Sequence, residues 1–450
     1  MNPKEERDAI QELTVDLKSS RLTRGDFVNK ALAMGLSLAA ADMLLGANPV
    51  FAMSKAEREL RAAGKVLQYW TPFAGPDGPH MKLMVDRYNA AHPGYYFNFV
   101  RVGGGYETKM TSAAISHTLP DVAAYRLDWI PDAVARGIFE PIDDIAKENH
   151  IRASDFAPAV WHGGLQNGRR YSIPLDTHVF TFYYNKDLLR KAGVSSAPTN
   201  RSQFDAVAAA AKKAGEIAMP VATATTLLVS TLFWQAGGEL FTPDKQKAAY
   251  DSAAGQKALG FLVDLIQKGY SPKGLTDASV PFITGKAAMW MDGIWQLAAV
   301  KGARFAYGAG PVPALFEKRA VWSGSHQMVL PRKSRGSAER AAIGKFITYI
   351  VSNAAEWARG GQIPASKSVR ESAAFHAIHP QAEIAAEEPY VHFVDPFPGA
   401  SQSYYPVMDK YGGLALTGKL SVKEALRQGV AESNKLLAAA RASFSSGSQD

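Results

Sequence analysis

The 450-residue chain contains no cysteine. That excludes a disulfide scaffold, thiol catalysis, a cysteine zinc site, an iron–sulfur cluster and a lipid-modified N-terminal cysteine. Charge is sparse too, at 20%, and glycine and proline together make up about 14% (38 and 25 residues). With 47% hydrophobic residues this is globular composition, which rules out a disordered chain, a coiled coil and a collagen. The length points to two or three domains, or two large interleaved ones. No long basic run is present. Arg169-Arg170 and Lys212-Lys213 are as far as clustering goes, so the formal net charge of +8 reads as a solvated basic surface, and no nucleic-acid partner is expected.

No apolar run reaches the ~18 residues of a membrane-spanning helix. The run at 31–41 (ALAMGLSLAAA) instead suits the h-region of an export signal. Val50-Phe51-Ala52 offers small residues at the −3 and −1 positions of a cleavage site. Upstream, Arg21-Leu22-Thr23-Arg24-Gly25-Asp26-Phe27-Val28 resembles a twin-arginine export signal, with Gly25 in place of the second arginine. Residues 1–52 are therefore expected to be an export segment, and the mature protein periplasmic. Whether the route is twin-arginine or general secretion stays open.

From residue 65 onward, strand and helix signals alternate. A buried strand at 65–70 leads into the loop TPFAGPDGP, and residues 81, 84, 85 and 88 share a helix face. A strand at 96–100, the glycine loop Gly103-Gly104-Gly105, a helix at 106–117 and a strand at 121–125 continue the pattern. Such alternation is that of a parallel sheet, whose ligands bind beyond the strands' carboxyl ends. That places Trp70, Tyr106 and Asp128 at one rim. A long extended run covers 171–184. Helices are expected at 203–214, 225–236, 254–268 and 282–300, extended segments at 305–331, helices at 337–358 and a helix pair at 419–444.

Catalytic patterns come close and miss. Residues 413–420 match a phosphate loop except that Leu420 stands where a magnesium-binding hydroxyl is needed. The glycine loop has Thr108 in place of the third glycine of a dinucleotide fingerprint. There is no G-x-S-x-G elbow and no H-E-x-x-H motif, and the ten histidines are dispersed. Two well-placed carboxylates would suffice for a glycosidase, but a non-enzyme without metal or cofactor is the expectation.

Several landmarks, taken in order, carry a family likeness. They are Gln68-Tyr69-Trp70 before a GPDG loop, Leu119-Pro120-Asp121-Val122, and Gly137-Ile138-Phe139-Glu140-Pro141-Ile142-Asp143. The stretch from Tyr171 to Asp187 is next, then Gly285-Lys286-Ala287-Ala288-Met289 with Asp292-Gly293-Ile294-Trp295, where Ile294 replaces a usual proline. From about Val66 to Glu371 the chain resembles the extracellular solute-binding proteins of ABC importers, in the carbohydrate-binding group that includes maltose- and glycerol-3-phosphate-binding proteins. The resemblance implies an α/β, two-lobed type II periplasmic-binding-protein fold with hinge crossovers and an interlobe cleft. It implies lobe one at 65–178 plus 325–366 and lobe two at 179–324 plus 367–450. Its partners would be a carbohydrate and the membrane permease subunits of an importer, with the protein itself a monomer.

Sugars offer apolar faces for aromatic rings and hydroxyls for polar groups. Trp70, Trp234, Trp295 and Trp322 stand at element ends beside glycine or proline, and Trp70 and Trp295 also match cleft positions of the family. Those two are expected to face each other across the cleft. Asp128, Asp176 and His178 lie where lobe-one strands end and the crossover begins, with a hinge or capping role as the alternative. The segment Ser323-Gly324-Ser325-His326 resembles one whose backbone N–H groups face ligand in the family, so Ser325 joins the set. Arg126 and Arg359 could pair an acid or a phosphate. A phosphorylated polyol is the second ligand class, because Gly104-Gly105-Tyr106-Glu107-Thr108 is similar to a stretch in the glycerol-3-phosphate subgroup.

Overall fold

The structure is a computed structural model, and it describes residues 55–446 apart from 74, 76 and 195. The expected export segment lies outside the described residues. The strands that build the two lobes are β1 (Val66–Thr71), β2 (Tyr96–Arg101), β3 (Val122–Arg126), β4 (Ser172–Pro174), β5 (Asp176–Asn185) and β6 (Met289–Gly293). They continue with β7 (Tyr307–Gly310), β8 (Val321–Gly324), β9 (His326–Val329), β10 (Ile363–Pro364) and β11 (Val391–His392).

The chain folds as two α/β lobes. In the first, a five-stranded sheet has the order β2-β1-β3-β9-β4. β1 runs parallel to β2 and β3, whereas β9 runs antiparallel to both β3 and β4. The helices Gly78–Ala91 and Ser337–Ser352 cover one face, burying Met84, Tyr88, Phe346 and Ile347 against Tyr69 and Phe97. In the second lobe, β5 is the axis. It pairs with β10 and β8 near its start, then with β6 and β7. Helices Thr226–Gln235, Ala253–Gln267, Ala400–Leu416 and Val422–Ser446 enclose a core around Trp290, Leu259 and Tyr404.

The backbone passes between the two cores repeatedly, and three of the passages lie in neighbouring segments. Leu175 belongs to the first core and Val179 to the second, Trp322 to the second and Met328 to the first, Ile363 to the second and Ala365 to the first. These crossings are hydrogen-bonded together: Leu175 N–H donates to His326 O (2.9 Å) and Ala365 N–H to Leu175 O (3.1 Å).

Two expectations are corrected. Residues 282–300 do not form one helix: a short helix, Ser279–Ile283, is followed by β6. The run Met289-Trp290-Met291 is buried on both faces, and apolar periodicity alone cannot separate such a strand from a buried helix. The tail is also longer than expected. The helix Ala400–Leu416 precedes the final one although it contains Pro406 and Gly412-Gly413, residues that argue against a helix in sequence. Its two ends and its buried face are held by lobe packing, which overrides propensity.

Candidate functional site

Between the lobes lies a cavity of ≈ 620 Å³. Lobe one supplies Glu107, from the first turn of the helix Tyr106–Ile115, and Arg126 and Trp129 from the end of β3. The turn before that helix is made by Gly105 at φ 75, a left-handed conformation glycine adopts without strain. Lobe two supplies Asp292 at the end of β6, and Tyr405 and Asp409 from the helix Ala400–Leu416.

Arg126 is half-buried and already engaged. Its Nε and Nη2 donate to the two Asp128 oxygens at 3.0 and 2.6 Å, a bidentate fork. Its guanidinium lies 4.5 Å from the Trp129 ring centroid and 5.3 Å from that of Tyr405. Tyr405 in turn accepts a hydrogen bond from Trp322 Nε1 at 3.1 Å. Burial pushes the Glu107 carboxyl up to about 7; Asp128 adds to the shift and Arg126 only partly offsets it. Burial likewise pushes Asp292 up to about 6, against hydrogen bonds from Gly293 and Gln296. The start of the helix Ala400–Leu416 ties lobe two to lobe one here. Gly399 N–H donates to Asp132 Oδ1 (2.7 Å), Ser401 Oγ to Asp128 O (3.2 Å) and Gln402 Nε2 to Glu107 Oε2 (2.9 Å).

At the crossings a second polar cluster is closed to solvent. Asp176 is 0% exposed and accepts four hydrogen bonds. His178 Nδ1 (3.2 Å) and His326 N–H (2.8 Å) reach Oδ1, and His326 Nδ1 (2.8 Å) and Trp357 Nε1 (2.6 Å) reach Oδ2. Ser325 Oγ donates to the Asp176 carbonyl at 2.6 Å. Burial opposes ionisation of Asp176, but His326 and the hydrogen bonds from both histidines hold its carboxyl well below the usual range. Burial, reinforced by His326, pushes the His178 imidazole down to about 4, so it is neutral near pH 7. The donor atoms of Asp176, His178 and His326 lie within 4.8 Å of one another, close enough to hold a metal ion. Both Nδ1 atoms hydrogen-bond the carboxylate, which leaves the Nε2 of each ring as its candidate ligand atom; the four hydrogen bonds on Asp176 themselves make the cluster a structural knot.

Residues 75–357 match the family described as bacterial extracellular solute-binding protein. The chain belongs to that family. Among relatives, a putative binding protein of Brucella abortus (strain 2308) is 23% identical over 76% of this chain and 89% of its own length. The sn-glycerol-3-phosphate-binding periplasmic protein UgpB of Escherichia coli O1:K1 / APEC is 24% identical over 82% of this chain and 92% of its own. The GacH receptor of Streptomyces glaucescens, described unliganded and with acarbose, superposes with a TM-score of 0.74 at 21% identity, covering 83% and 98% of the two chains. The two-lobed architecture is thus the fold shared with solved extracellular solute-binding proteins.

In this solute-binding protein the residues expected at the site fall into separate groups. Asp176, His178, Ser325, Trp295 and Trp322 meet at the crossings, where His178 lies 5.8 Å from the Trp295 ring and 5.9 Å from that of Trp322. Trp70 packs in lobe one, its carbonyl accepting the Tyr106 hydroxyl at 3.0 Å. Asp128 stands behind Arg126. Trp234 is core, 5% exposed and stacked on His392 at 5.2 Å, and Trp322 is 2% exposed; neither lines the cavity. The ring contacts of Trp295 are with His178 and Trp322, not with Trp70 across the cleft. The cavity wall instead uses Arg126, Trp129, Glu107, Tyr405, Asp292 and Asp409. Glu107 and Asp292 were missed as site candidates, although they lie inside the GGGYET and DGIW landmarks, the signal that could have found them. Tyr405 and Asp409 carried no signal, because the helix that presents them is interrupted in sequence by Pro406 and a glycine pair.

Proposed function

We propose that this protein is the solute-binding component of an ABC importer. It captures a sugar or oligosaccharide between its lobes and presents it to the membrane permease. It acts as a non-enzymatic, exported, periplasmic monomer without cofactor or metal. We place lobe one at 65–178 plus 325–366 and lobe two at 179–324 plus 367–450, with 1–52 as the export segment. The observation that carries the reading is the interlobe cavity of ≈ 620 Å³, which joins aromatic rings (Trp129, Tyr405) to polar groups from both lobes. Rings cover the apolar faces of a sugar, and carboxylates accept from its hydroxyls. A ligand that touches both lobes favours the state in which they are together. The name of the UgpB relative supports a phosphorylated polyol as the other ligand class. The cavity supports it less, because Arg126, the one cation lining it among the described residues, is paired with Asp128. Trp70 and Trp295 remain proposed ligand contacts, one on each lobe.

The test is a thermal-shift and calorimetry screen of neutral sugars, polyols and their phosphate esters. The expected result is saturable, stoichiometric binding of a sugar that is recovered unchanged. Steady release of product from any of them would overturn the non-enzymatic reading.

A further inference from the structure

The chain carries a formal net charge of +8, yet its cleft is inverted in sign. Among the described residues, Glu107, Asp277, Asp292 and Asp409 line the cavity against a single cation, Arg126. That cation is neutralised by the Asp128 fork. Two of the four carboxylates have local work. Asp409 Oδ1 accepts from Thr226 N–H (3.1 Å) and Oγ1 (2.5 Å), and Asp277 Oδ1 from Ser279 N–H (2.8 Å) and Oγ (2.6 Å). The other two have no cation of their own among the described residues. Glu107 takes only the neutral Gln402 amide, and faces Asp128 and Asp132 as well as Arg126 and Arg136. Asp292 takes the N–H of its own neighbour Gly293 (2.6 Å) and the neutral side chain of Gln296, and faces Asp277. They come from opposite lobes. A basic protein that gathers under-compensated carboxylates at one cavity loses stability there, and a ligand that brings a positive charge restores more of it than neutral hydroxyls do.

We propose that the cleft takes a sugar bearing a protonated amine, whose ammonium is held by the under-compensated carboxylates of the cavity wall, Glu107 on lobe one or Asp292 on lobe two. The proposal rests on the reading of the cleft as a sugar site, and it names the ligand's charge. An ammonium offers three N–H donors and no acceptor, so it fits a carboxylate while the ring covers Trp129 and Tyr405. Phosphate esters are repelled by the same carboxylates. A ligand cation that reaches both lobes is fully compensated only when they are together, which couples charge recognition to closure.

Calorimetry on the full chain at pH 7 would compare matched pairs: glucose with glucosamine, galactose with galactosamine, and the corresponding methyl glycosides, alongside glycerol-3-phosphate. The amine is expected to bind about tenfold tighter than its hydroxyl partner, the margin of a charge-assisted over a neutral hydrogen bond. That preference should shrink with added salt. It should also shrink from pH 7 to pH 5, as the raised Asp292 and Glu107 carboxyls take up protons while neutral sugars bind unchanged. Asp292→Asn or Glu107→Gln should reduce the preference without abolishing binding of a neutral partner. A neutral sugar that binds as tightly as its amine, with no dependence on pH or salt, overturns the proposal and leaves the sugar-binding reading intact. Tight glycerol-3-phosphate binding overturns the proposal and favours the other ligand class. Binding by no member of the panel, nor by any oligosaccharide of the neutral-sugar screen, overturns both.

Discussion

Two groups of carboxylates in this molecule behave oppositely. Asp176, at the crossings, is fully enclosed and accepts four hydrogen bonds, and its carboxyl is held low. Glu107 and Asp292, in the cleft, are partly open and have no cation of their own among the described residues, and burial pushes both up. A satisfied charge in a closed site is architecture: it pins the three crossing segments to one another. An under-compensated charge beside a cavity destabilises the empty protein and is available to a ligand. The contrast separates the crossing segments from the proposed binding surface better than residue type does, since both places contain acids and aromatic rings.

Removing the carboxylate at the crossings should have the largest effect. Asp176→Ala leaves His326 N–H and Trp357 Nε1 buried without an acceptor, so it should cost about 3–5 kcal/mol in urea unfolding. A loss below about 1 kcal/mol would erase the contrast, because it would make Asp176 no more structural than an exposed acid.

Acid should expose the same difference. His178 is held down to about 4 from its ordinary 6.5, so the unfolded chain binds more protons between those values. Its contribution is therefore complete above pH 6.5 and is lost as pH falls towards 4, by about 3 kcal/mol at most. Asp176, held low by its partners, adds a loss in the same direction at still lower pH. Glu107 and Asp292 work the other way: raised carboxyls favour the folded state at low pH, and that contribution is lost as pH rises through about 6 and 7. Comparing stability–pH profiles of the parent, His178→Gln and Asp292→Asn separates the two signs. His178→Gln should flatten the acid limb and Asp292→Asn the neutral one.

On the cleft side, Trp129→Ala should weaken sugar binding by about ten- to a hundredfold, the equivalent of 1–3 kcal/mol of ring burial, with little change in unliganded melting. Calorimetry and scanning fluorimetry on one preparation read both quantities. Trp322→Ala should do the reverse, lowering melting because that ring is core. The smallest effect is expected from deleting residues 1–52: melting temperature and affinity should stay as they are, and a fall of several degrees would show that the segment docks on the lobes.

Much of lobe one was legible because its strands and helices are local patterns. The alternation from Val66 to Arg126 follows apolar periodicity and glycine turns, whereas within the landmarks GGGYET and DGIW the aromatic residues Tyr106 and Trp295 were selected and the adjacent Glu107 and Asp292 were passed over. Lobe two was less legible for two physical reasons. Met289-Trp290-Met291 is buried on both sides, so it has no period to read. The helix Ala400–Leu416 exists because of what surrounds it: Ser230 meets the Tyr404 hydroxyl at 2.9 Å, and Thr226 caps against Asp409.

By itself the sequence determined the class of protein, its two α/β lobes, the turns between strand and helix, and the absence of thiol and of recognisable catalytic chemistry. All of these depend on residues close together in the chain. Which tryptophans are core, which carboxylates are paired, and that Asp176, His326 and Trp357 form one knot were decided only by the tertiary structure. Those residues are separated by 150 and 181 positions, and compensation of a charge depends on distance in space, which chain order does not encode.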